Sequence, residues 1–213
     1  MIMMKYDAVI VAAGSGSRMG LGYNKVYYRP DQETVLEKTI HVFDGDDDCA
    51  HIIVVTDTDD YREIIGEAAG KIVLTEGGNT RQQSVANGLA LVREAHVMVH
   101  DGARPYLSKD LLQRLKQAMQ EDDAVCPMIP VKDTIKIVRN GYIQETIPRS
   151  LLFAAQTPQC FRTELLCACM EKAQRDGYTG TDDCDLVEHF SDIKIKAVEG
   201  EYRNIKLTTP EDL

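Results

Sequence analysis

A glycine-rich segment near the N-terminus carries the first residues whose types and spacing could do chemistry. A β-branched run, Ala8–Val11, leads into Ala12-Ala13-Gly14-Ser15-Gly16-Ser17-Arg18-Met19-Gly20, and Lys25 follows. After the first strand of an α/β sheet, small residues let backbone N–H groups approach a phosphate closely. Arg18 and Lys25 add two cations beside the turn, which suits a triphosphate better than the bridging pyrophosphate of a redox cofactor. The segment therefore predicts a nucleotide-phosphate site.

Two other phosphate-binding motifs do not match this loop. A dinucleotide fingerprint has glycine where this chain has Met19, and it needs an acidic residue at the end of a second strand about 20 residues on. The second β-rich run, Ile52–Thr56, lies nearly twice as far away. A P-loop closes with Gly-Lys-Ser/Thr, and the loop does not contain that triplet. The remaining alternative is a plain strand-to-helix turn with cations on its surface.

The elements that must position this loop are short β-rich runs that alternate with helical stretches. The predicted strands are Ala8–Val11, Ile52–Thr56, Lys71–Leu74, Val97–His100 and Ala124–Pro127. The predicted helices are Val35–Phe43, Asp60–Ala69, Arg81–Glu94, Lys109–Glu121 and Thr163–Gln174. Ser108 is a candidate N-cap and Gly177 a candidate C-cap. Strands separated by helices predict right-handed βαβ units and a mostly parallel sheet.

One segment breaks this rhythm. Two β-rich runs, Asp133–Val138 and Tyr142–Ile147, are joined by Arg139-Asn140-Gly141. Asn-Gly is a strong two-residue hairpin signal because both positions must adopt positive φ. An isolated hairpin is only marginally stable. The hairpin is therefore either an edge decoration of the sheet or an arm that lies on another surface, such as a second subunit.

The overall charge excludes several classes of partner. The 213 residues contain 34 Asp and Glu against 24 Lys and Arg, for a formal net charge of −10. Nucleic-acid binding depends on many Lys and Arg contacts to phosphate, so neither nucleic acid nor an anionic membrane surface is an expected partner. No apolar run approaches the roughly 20 residues of a membrane span. The hydrophobic fraction of 44% is that of an ordinary globular protein.

Two residue clusters have a plain interpretation and a functional one. No two of the six cysteines have the Cys-x-x-Cys spacing of a zinc or redox site. Free thiols in a reducing cytoplasm are therefore expected, and the protein is predicted to be cytoplasmic. The run Asp44–Asp48 resembles a calcium loop in composition, but Val55 stands where such a loop has its bidentate glutamate. A solvated turn is expected there.

Further motifs follow in the order found in a known family. They are Gly77-Gly78-Asn79-Thr80-Arg81-Gln82-Gln83-Ser84-Val85, Val99-His100-Asp101-Gly102-Ala103-Arg104-Pro105, Pro130-Val131-Lys132-Asp133-Thr134-Ile135-Lys136, Pro148-Arg149-Ser150, Gln156-Thr157-Pro158-Gln159, Thr181-Asp182-Asp183 and Asn204-Ile205-Lys206-Leu207-Thr208-Thr209. Together with the first loop, they cover nearly the whole chain. This ordered set resembles the sugar-phosphate cytidylyltransferases.

The resemblance implies a Rossmann-like α/β fold, with a mostly parallel sheet in three layers and a protruding β-hairpin arm. It implies one domain over residues 1–213, with residues 133–149 as the arm of a homodimer. The implied reaction transfers CMP from CTP to a sugar-alcohol phosphate, with Mg²⁺ or another divalent cation. The closest pattern implies 2-C-methyl-D-erythritol 4-phosphate, of non-mevalonate isoprenoid biosynthesis, as the acceptor. Ribitol 5-phosphate is the alternative acceptor, and a non-catalytic nucleotide-binding module is the alternative class.

The resemblance also implies residue roles. The attacking phosphate is already ionised, so catalysis rests on alignment and on cations that offset charge. Three cations are assigned to catalysis: Arg18, Lys25 and Lys206. CTP binding is assigned to Ala12, Ala13, Gly14, Ser15, Gly16, Gly78, Asn79 and Ser84. Binding of the sugar phosphate is assigned to Asp101, Arg104, Thr134, Arg149 and Thr157.

Some acidic and histidine residues have two interpretations. Asp101 follows a strand end and is the candidate ligand for Mg²⁺ or a ribose hydroxyl, with a turn-capping aspartate as the alternative. His100 is expected to be packed, since the reaction needs no general base. Asp182-Asp183 is either a metal pair or a helix cap.

Two features depart from the family pattern, and a third concerns the last residues of the sequence. Val26-Tyr27 follows Lys25, where Gln-Phe is usual, and Gly102 stands where alanine is common. Thr209-Pro210-Glu211 has the residue types of a helix start, so a further helix is expected after it.

Overall fold

The computed structural model describes residues 4–14 and 22–212, and an eight-stranded sheet runs through it. The strands of this part of the chain are β1 (Tyr6–Val11), β2 (Cys49–Thr56), β3 (Ile72–Glu76), β4 (His96–Asp101), β5 (Ala124–Pro130), β6 (Lys136–Arg139), β7 (Tyr142–Thr146), β8 (Phe153–Ala155), β9 (Gln159–Arg162) and β10 (Lys196–Glu199). The helices are α1 (Val35–Asp44), α2 (Thr58–Ile64), α3 (Arg81–Leu89), α4 (Lys109–Ala118), α5 (Thr163–Asp176) and α6 (Asp183–Phe190).

The main sheet is mostly parallel, as the sequence predicts. Its order is β10-β5-β9-β4-β1-β2-β3, and β8 pairs with β5 outside this path. Strands β8 and β9 run antiparallel to their neighbours. All five predicted strands are present, whereas β8, β9 and β10 were not predicted. These three have only three or four residues each, too few for a clear hydrophobic pattern.

Helices cover both faces of the sheet, which confirms the three-layer prediction. Along β1, Ala8 and Ile10 pack into a core that contains residues of α1 and α4. Val9 between them points into a second core that contains residues of α3, α5 and α6. This alternation follows from the two-residue period of a strand. Because β1 and β4 pair in parallel, the loops after these two strands lie side by side at one edge of the sheet.

The predicted helix caps are present, but some predicted helix ends are wrong. Ser108 accepts a hydrogen bond from the N–H of Leu111 at the start of α4, and Gly177 ends α5 with φ of 67°. Helix α2 ends at Ile64 rather than Ala69, and α4 ends at Ala118 rather than Glu121.

Helix α3 also ends early, at Leu89 rather than Glu94. The buried carboxylate of Asp7 accepts hydrogen bonds from the N–H groups of Arg93 and Glu94, at 2.6 Å and 3.1 Å. These bonds hold the chain in a turn that leads into β4. A local helical pattern contains no information about a partner so distant in sequence.

The predicted hairpin is present as a separate two-stranded sheet made of β6 and β7. Asn140 and Gly141 both have positive φ, 51° and 81°, as the turn chemistry requires. Tyr142 and Ile143 are 74% and 65% exposed, so the hairpin presents apolar side chains to solvent. We call residues 133–149 the arm.

The turn at Asp44–Asp48 is exposed at Asp44 and Asp47, as predicted, but Asp46 and Asp48 are not simply solvated. The ammonium of Lys116, on α4, lies 2.9 Å from Asp46 and 2.7 Å from Asp48, and all three side chains are largely buried. Tyr6 donates a further hydrogen bond to Asp46 at 2.9 Å. A lysine occupies the position that the composition suggested for a cation.

Three further predictions concern cysteines, membrane spans and the C-terminal residues. The six cysteines form no disulfide, and five of them are buried. Within residues 4–14 and 22–212, no helix is long and apolar enough to cross a membrane. Residues Pro210–Asp212 form one 3₁₀ turn, and Asp212 accepts hydrogen bonds from the N–H groups of Thr208 and Thr209.

Candidate active site

A cleft of about 460 Å³ opens at the edge of the sheet where β1 and β4 end. Three loops and one C-terminal segment meet there. The predicted site residues on its lining are Ala12, Ala13, Gly14, Lys25, Gly78, Asn79, Ser84, Asp101 and Lys206. Residues separated by most of the sequence are therefore brought into one concave surface. Ser15, Gly16 and Arg18 lie outside the described residues.

The loop after β1 is linked to Lys25 by a short capped turn. Asn24 donates a side-chain hydrogen bond to the carbonyl of Ala12, and its carbonyl oxygen accepts one from the N–H of Val26. Lys25 begins a 3₁₀ turn, Lys25–Tyr27, in which Val26 and Tyr27 are buried. Asn24 thus fixes Lys25 relative to the end of β1. The departure at Val26-Tyr27 affects residues packed beneath the cleft.

Glycines allow the loops to approach each other closely at the floor of the cleft. A Cβ atom on Gly77 would lie 2.2 Å from the Cβ of Ala13, and one on Gly78 would lie 2.4 Å from the Cβ of Gln83. Neither distance is possible between real side chains. The N–H of Gly78 is also bound to Ser84 Oγ at 3.0 Å. The β1 and β3 loops therefore form a narrow wall of backbone and small side chains.

Asp101, at the end of β4, is surrounded by three cations. Lys206 Nζ lies 2.9 Å and Arg104 Nε 3.4 Å from Oδ2, and Arg81 Nε lies 3.5 Å from Oδ1. Burial alone would raise the pKa of this carboxyl, but Lys206, Arg81 and Arg104 hold it well below its usual range. Asp101 is therefore ionised at neutral pH. The site concentrates positive charge around one carboxylate.

His100 lies beneath Asp101 and is neutral. Its Nε2 lies 3.1 Å from the carbonyl of Arg104, so Nε2 carries the proton. Nδ1 then accepts from the hydroxyl of Thr157 at 2.9 Å, and that hydroxyl oxygen accepts the N–H of Asp101 at 3.0 Å. Complete burial lowers the pKa of His100 to about 4. His100 is thus packed, as the sequence analysis expected, and it orients Thr157.

The segment that carries Lys206 is held against the cleft by buried polar groups. Asn204 is fully buried and donates from Nδ2 to the carbonyl of Thr157 at 2.9 Å. Arg104 donates to the carbonyl of Asn204 at 2.7 Å, and the N–H of Leu207 binds the carbonyl of Ala103 at 2.9 Å. Arg104 and Thr157 lie behind Asp101 and support it. Lys206 reaches the cleft through these contacts.

Two predicted residues lie away from the cleft of their own chain. Thr134 is exposed at one end of the arm. Arg149 is exposed at the other end, where its guanidinium donates to the carbonyl of Lys132 at 2.6 Å. Within the described residues, one chain therefore brings together Asp101 and six predicted CTP-binding residues, but not the two arm residues.

Sequence reasoning missed Arg81, which lines the cleft and binds both Asp101 and Asp183. The motif that contains it was identified, and its place at the first position of α3 was the available signal.

The metal-pair interpretation of Asp182-Asp183 is wrong. Asp182 caps α6 by accepting from the N–H of Asp185, and Asp183 pairs with Arg81. No group of three metal-binding side chains occurs among the described residues.

Comparison with known proteins agrees with this geometry. The sequence model of one family, described as 2-C-methyl-D-erythritol 4-phosphate cytidylyltransferase, matches residues 6–213. The chain belongs to this family. It is therefore a cytidylyltransferase, a class of nucleotidyltransferase. A family protein from Geobacillus thermodenitrificans is 42% identical over 216 residues, which cover 99% of this chain and 94% of that protein.

Solved structures of the same family share the α/β fold. The 4-diphosphocytidyl-2C-methyl-D-erythritol synthase of Anaerococcus prevotii is 34% identical, with a TM-score of 0.83 over 98% of this chain and 94% of that chain. The 2-C-methyl-D-erythritol 4-phosphate cytidylyltransferase of Francisella tularensis is 28% identical, with a TM-score of 0.86 over 98% and 96% of the two chains.

Proposed function

We propose that this cytidylyltransferase transfers CMP from CTP to 2-C-methyl-D-erythritol 4-phosphate, as a step of non-mevalonate isoprenoid biosynthesis. A phosphate oxygen of the acceptor attacks the α-phosphorus of CTP, and the bond to the β-phosphate oxygen breaks. The products are 4-diphosphocytidyl-2-C-methyl-D-erythritol and pyrophosphate. The observation that carries the proposal is the cleft in which Lys25 and Lys206 face a floor of small residues beside Asp101. Two anionic reactants need such a cationic pocket before they can meet in line.

The nucleotide occupies the part of the cleft between the β1 and β3 loops. Ala12, Ala13, Gly78, Asn79 and Ser84 contact cytosine and ribose, and the narrow wall suits a pyrimidine better than a purine. Backbone N–H groups of Gly14, Ser15 and Gly16 bind the triphosphate. Arg18 and Lys25 contact the α-phosphate and stabilise the charge that builds up in the transition state.

The acceptor lies on the side of Asp101 and Lys206. Lys206 exchanges part of its contact with Asp101 for the acceptor phosphate and the α-phosphate. Asp101 accepts hydrogen bonds from acceptor hydroxyls. Arg104 and Thr157 belong to the same subsite, and they keep the carboxylate of Asp101 and its backbone in place through their own hydrogen bonds.

A divalent cation such as Mg²⁺ fits this subsite as a ligand of Asp101. Magnesium is commonly held by one or two carboxylates together with substrate phosphates and water, so a single carboxylate is sufficient. The Oδ1 atom is the less engaged oxygen, because its ion-pair contact is with Arg81 at 3.5 Å. When bound, the cation offsets negative charge on the triphosphate. This chain's residues do the rest of the positioning.

The active unit is a homodimer in which the arm of one subunit reaches the cleft of the other. Thr134 and Arg149 then bind the acceptor phosphate across the interface. The exposed apolar side chains of the arm support this arrangement, since Val138, Tyr142 and Ile143 are each more than half exposed in one chain. The fully reduced thiols suit a reducing compartment, and we place the enzyme in the cytoplasm.

A pyrophosphate-release assay tests the reaction. With CTP and a divalent cation, we expect release with 2-C-methyl-D-erythritol 4-phosphate and little with ribitol 5-phosphate or without acceptor. UTP and ATP are the nucleotide controls. Faster turnover of ribitol 5-phosphate would show that this compound is the acceptor instead. A protein that binds CTP but releases no pyrophosphate with either acceptor would be a nucleotide-binding module.

Subunit complementation tests the arm. Lys25→Ala and Arg149→Ala are each expected to be inactive as homodimers, because one lacks a cleft cation and the other an arm cation. A mixed dimer contains one cleft in which both residues are intact. It should therefore recover up to about half of the activity of a wild-type dimer. Unmixed variants at equal total concentration are the control. No recovery in mixed dimers verified by mass would contradict the assignment of Arg149 across the interface.

A further inference from the structure

Asp183 is a buried carboxylate that the roles given so far do not use. It is the first residue of α6 and is 1% exposed. Its Oδ2 accepts a hydrogen bond from Arg81 Nη2 at 2.8 Å, and the two residues are 102 positions apart in sequence. An ionised carboxylate at this depth is costly unless it has a cationic partner. Arg81 is that partner, although it also lines the cleft.

Arg81 connects Asp183 to the cleft. Its Nη2 binds Asp183 at 2.8 Å, while its Nε lies 3.5 Å from Oδ1 of Asp101. One planar guanidinium therefore contacts two carboxylates from different elements. The shorter contact is the buried one, so Asp183 fixes where the guanidinium lies. Because the guanidinium is planar and rigid, fixing Nη2 also fixes the direction in which Nε faces Asp101.

The same pair of strands positions both carboxylates. In the antiparallel pair of β4 and β9, Val99 lies opposite Gln159. Two residues further along β4, the N–H of Asp101 binds the hydroxyl of Thr157. Gln159 Oε1 accepts from the N–H groups of Asp183 and Cys184, each at 3.1 Å. The distance between Asp101 and Asp183 is thus set by the β4–β9 pairing, and Arg81 bridges that distance from α3.

We propose that Asp183 is a positioning residue for the transfer reaction: through Arg81, it holds Asp101 in the orientation that receives the acceptor. This inference rests on the acceptor subsite proposed above. Without the charge on Asp183, Arg81 loses the ion pair at its shorter contact and can move towards Asp101 or the triphosphate. Either movement disturbs alignment at the reacting atoms without removing any group that touches them.

The Asp183→Asn variant tests this role because it keeps the size of the side chain and removes the charge. We expect kcat to fall about 10- to 100-fold, the cost typical of misalignment. The KM for CTP should not rise, because the variant leaves more positive charge near the triphosphate. Asp185→Asn, on the same helix, is the matched control. Asp185 binds Tyr178 and Thr181 at the surface, and its loss should leave kcat unchanged.

A double-mutant cycle separates positioning from a general effect on folding. Arg81→Met lowers kcat by itself, and adding Asp183→Asn should cause no further loss, because Asp183 acts through Arg81. The double variant buries no unpaired charge, so it should also melt higher than Asp183→Asn alone. These assays use whichever acceptor the wild-type protein turns over fastest. If that acceptor is not 2-C-methyl-D-erythritol 4-phosphate, the proposed function is revised, but this comparison of variants still holds. Independent losses that multiply in the double variant, or a lowered Tm with kcat unchanged, would overturn the proposal.

Discussion

Two clusters of charged side chains lie at opposite edges of the same parallel sheet, and they differ in the balance of their charges. At the edge where β4 ends, the cleft cluster places Lys206, Arg104 and Arg81 around Asp101, with Asp183 behind Arg81. At the edge where β2 begins, the lysine cluster places Lys116 between Asp46 and Asp48. The first cluster has more cations than carboxylates, and the second has fewer.

This difference is the one expected between the proposed binding site and a structural contact. An excess of cations leaves the cleft with net positive charge. An anionic substrate can bind there, because the cations have further hydrogen-bond donors to offer. In the lysine cluster, two carboxylates occupy one ammonium. Burial would lower the pKa of Lys116, but Asp48 and Asp46 raise it. The ammonium therefore stays charged and engaged, and it fixes the turn before β2 to α4.

Removal of Lys206 should have the largest effect on catalysis. We expect Lys206→Ala to lower kcat about 100- to 1,000-fold, as is typical when one preorganised charge is taken from a transition state. Its Tm should change little, because the side chain is 37% exposed. Steady-state pyrophosphate release and thermal melting measure the two effects. Lys206→Arg should recover part of kcat. A kcat within threefold of wild type would remove Lys206 from the reaction.

His100, which lies beneath the cleft cluster, should also make the protein sensitive to mild acid. The pKa of His100 is about 4 in the folded chain, against 6.5 as its ordinary value. Between these values the unfolded chain binds a proton that the folded chain excludes, so stability falls as the pH drops from 6.5 towards 4. The loss over this window is about 3 kcal/mol.

Urea unfolding of the wild type and His100→Asn at several pH values measures this loss. The variant is less stable at pH 7, because it breaks the contacts to Thr157 and Arg104. Its stability should nevertheless change less between pH 6.5 and 5. Parallel curves for the two proteins would show that another group controls the acid sensitivity.

The lysine cluster should affect stability but not turnover. Lys116→Met removes charged hydrogen bonds to Asp46 and Asp48, and we expect a loss of about 2 kcal/mol in the free energy of unfolding. The kcat of the folded protein should equal that of wild type. Adding Asp46→Asn and Asp48→Asn removes the unpaired carboxylates and should restore part of the loss. A reduced kcat at unchanged Tm would show that the two edges of the sheet are coupled.

The sequence predicts what is encoded locally. The turn at Asn140-Gly141 and the caps at Ser108 and Gly177 each depend on residues close together in the chain. The ordered motifs also placed Lys206 and Asp101 in one site. What the sequence did not predict depends on distant partners. Arg81 acquires its role from Asp183, and the early end of α3 depends on Asp7.

The same reason accounts for the turn at Asp44–Asp48. Its composition suggested either a cation site or a solvated turn. The turn is exposed at Asp44 and Asp47, but Asp46 and Asp48 are paired with a lysine. The cation is a side chain from α4, 70 positions away from Asp46. Short strands such as β8 and β9 are a related case, because their pairing with β5 and β4 decides their structure rather than their own pattern.

The attachment of Lys206 also sets the order in which the enzyme becomes functional during synthesis. Chains emerge from the ribosome N-terminus first, and domains fold as their residues become available. The β1 loop, α3 and Asp101 are complete long before Asn204 can bind the carbonyl of Thr157 and bring Lys206 to the cleft. A nascent chain with most of its sheet formed therefore holds Asp101 without its nearest cation. With the role proposed for Lys206, catalytic competence is acquired only after residues 204–206 have been made.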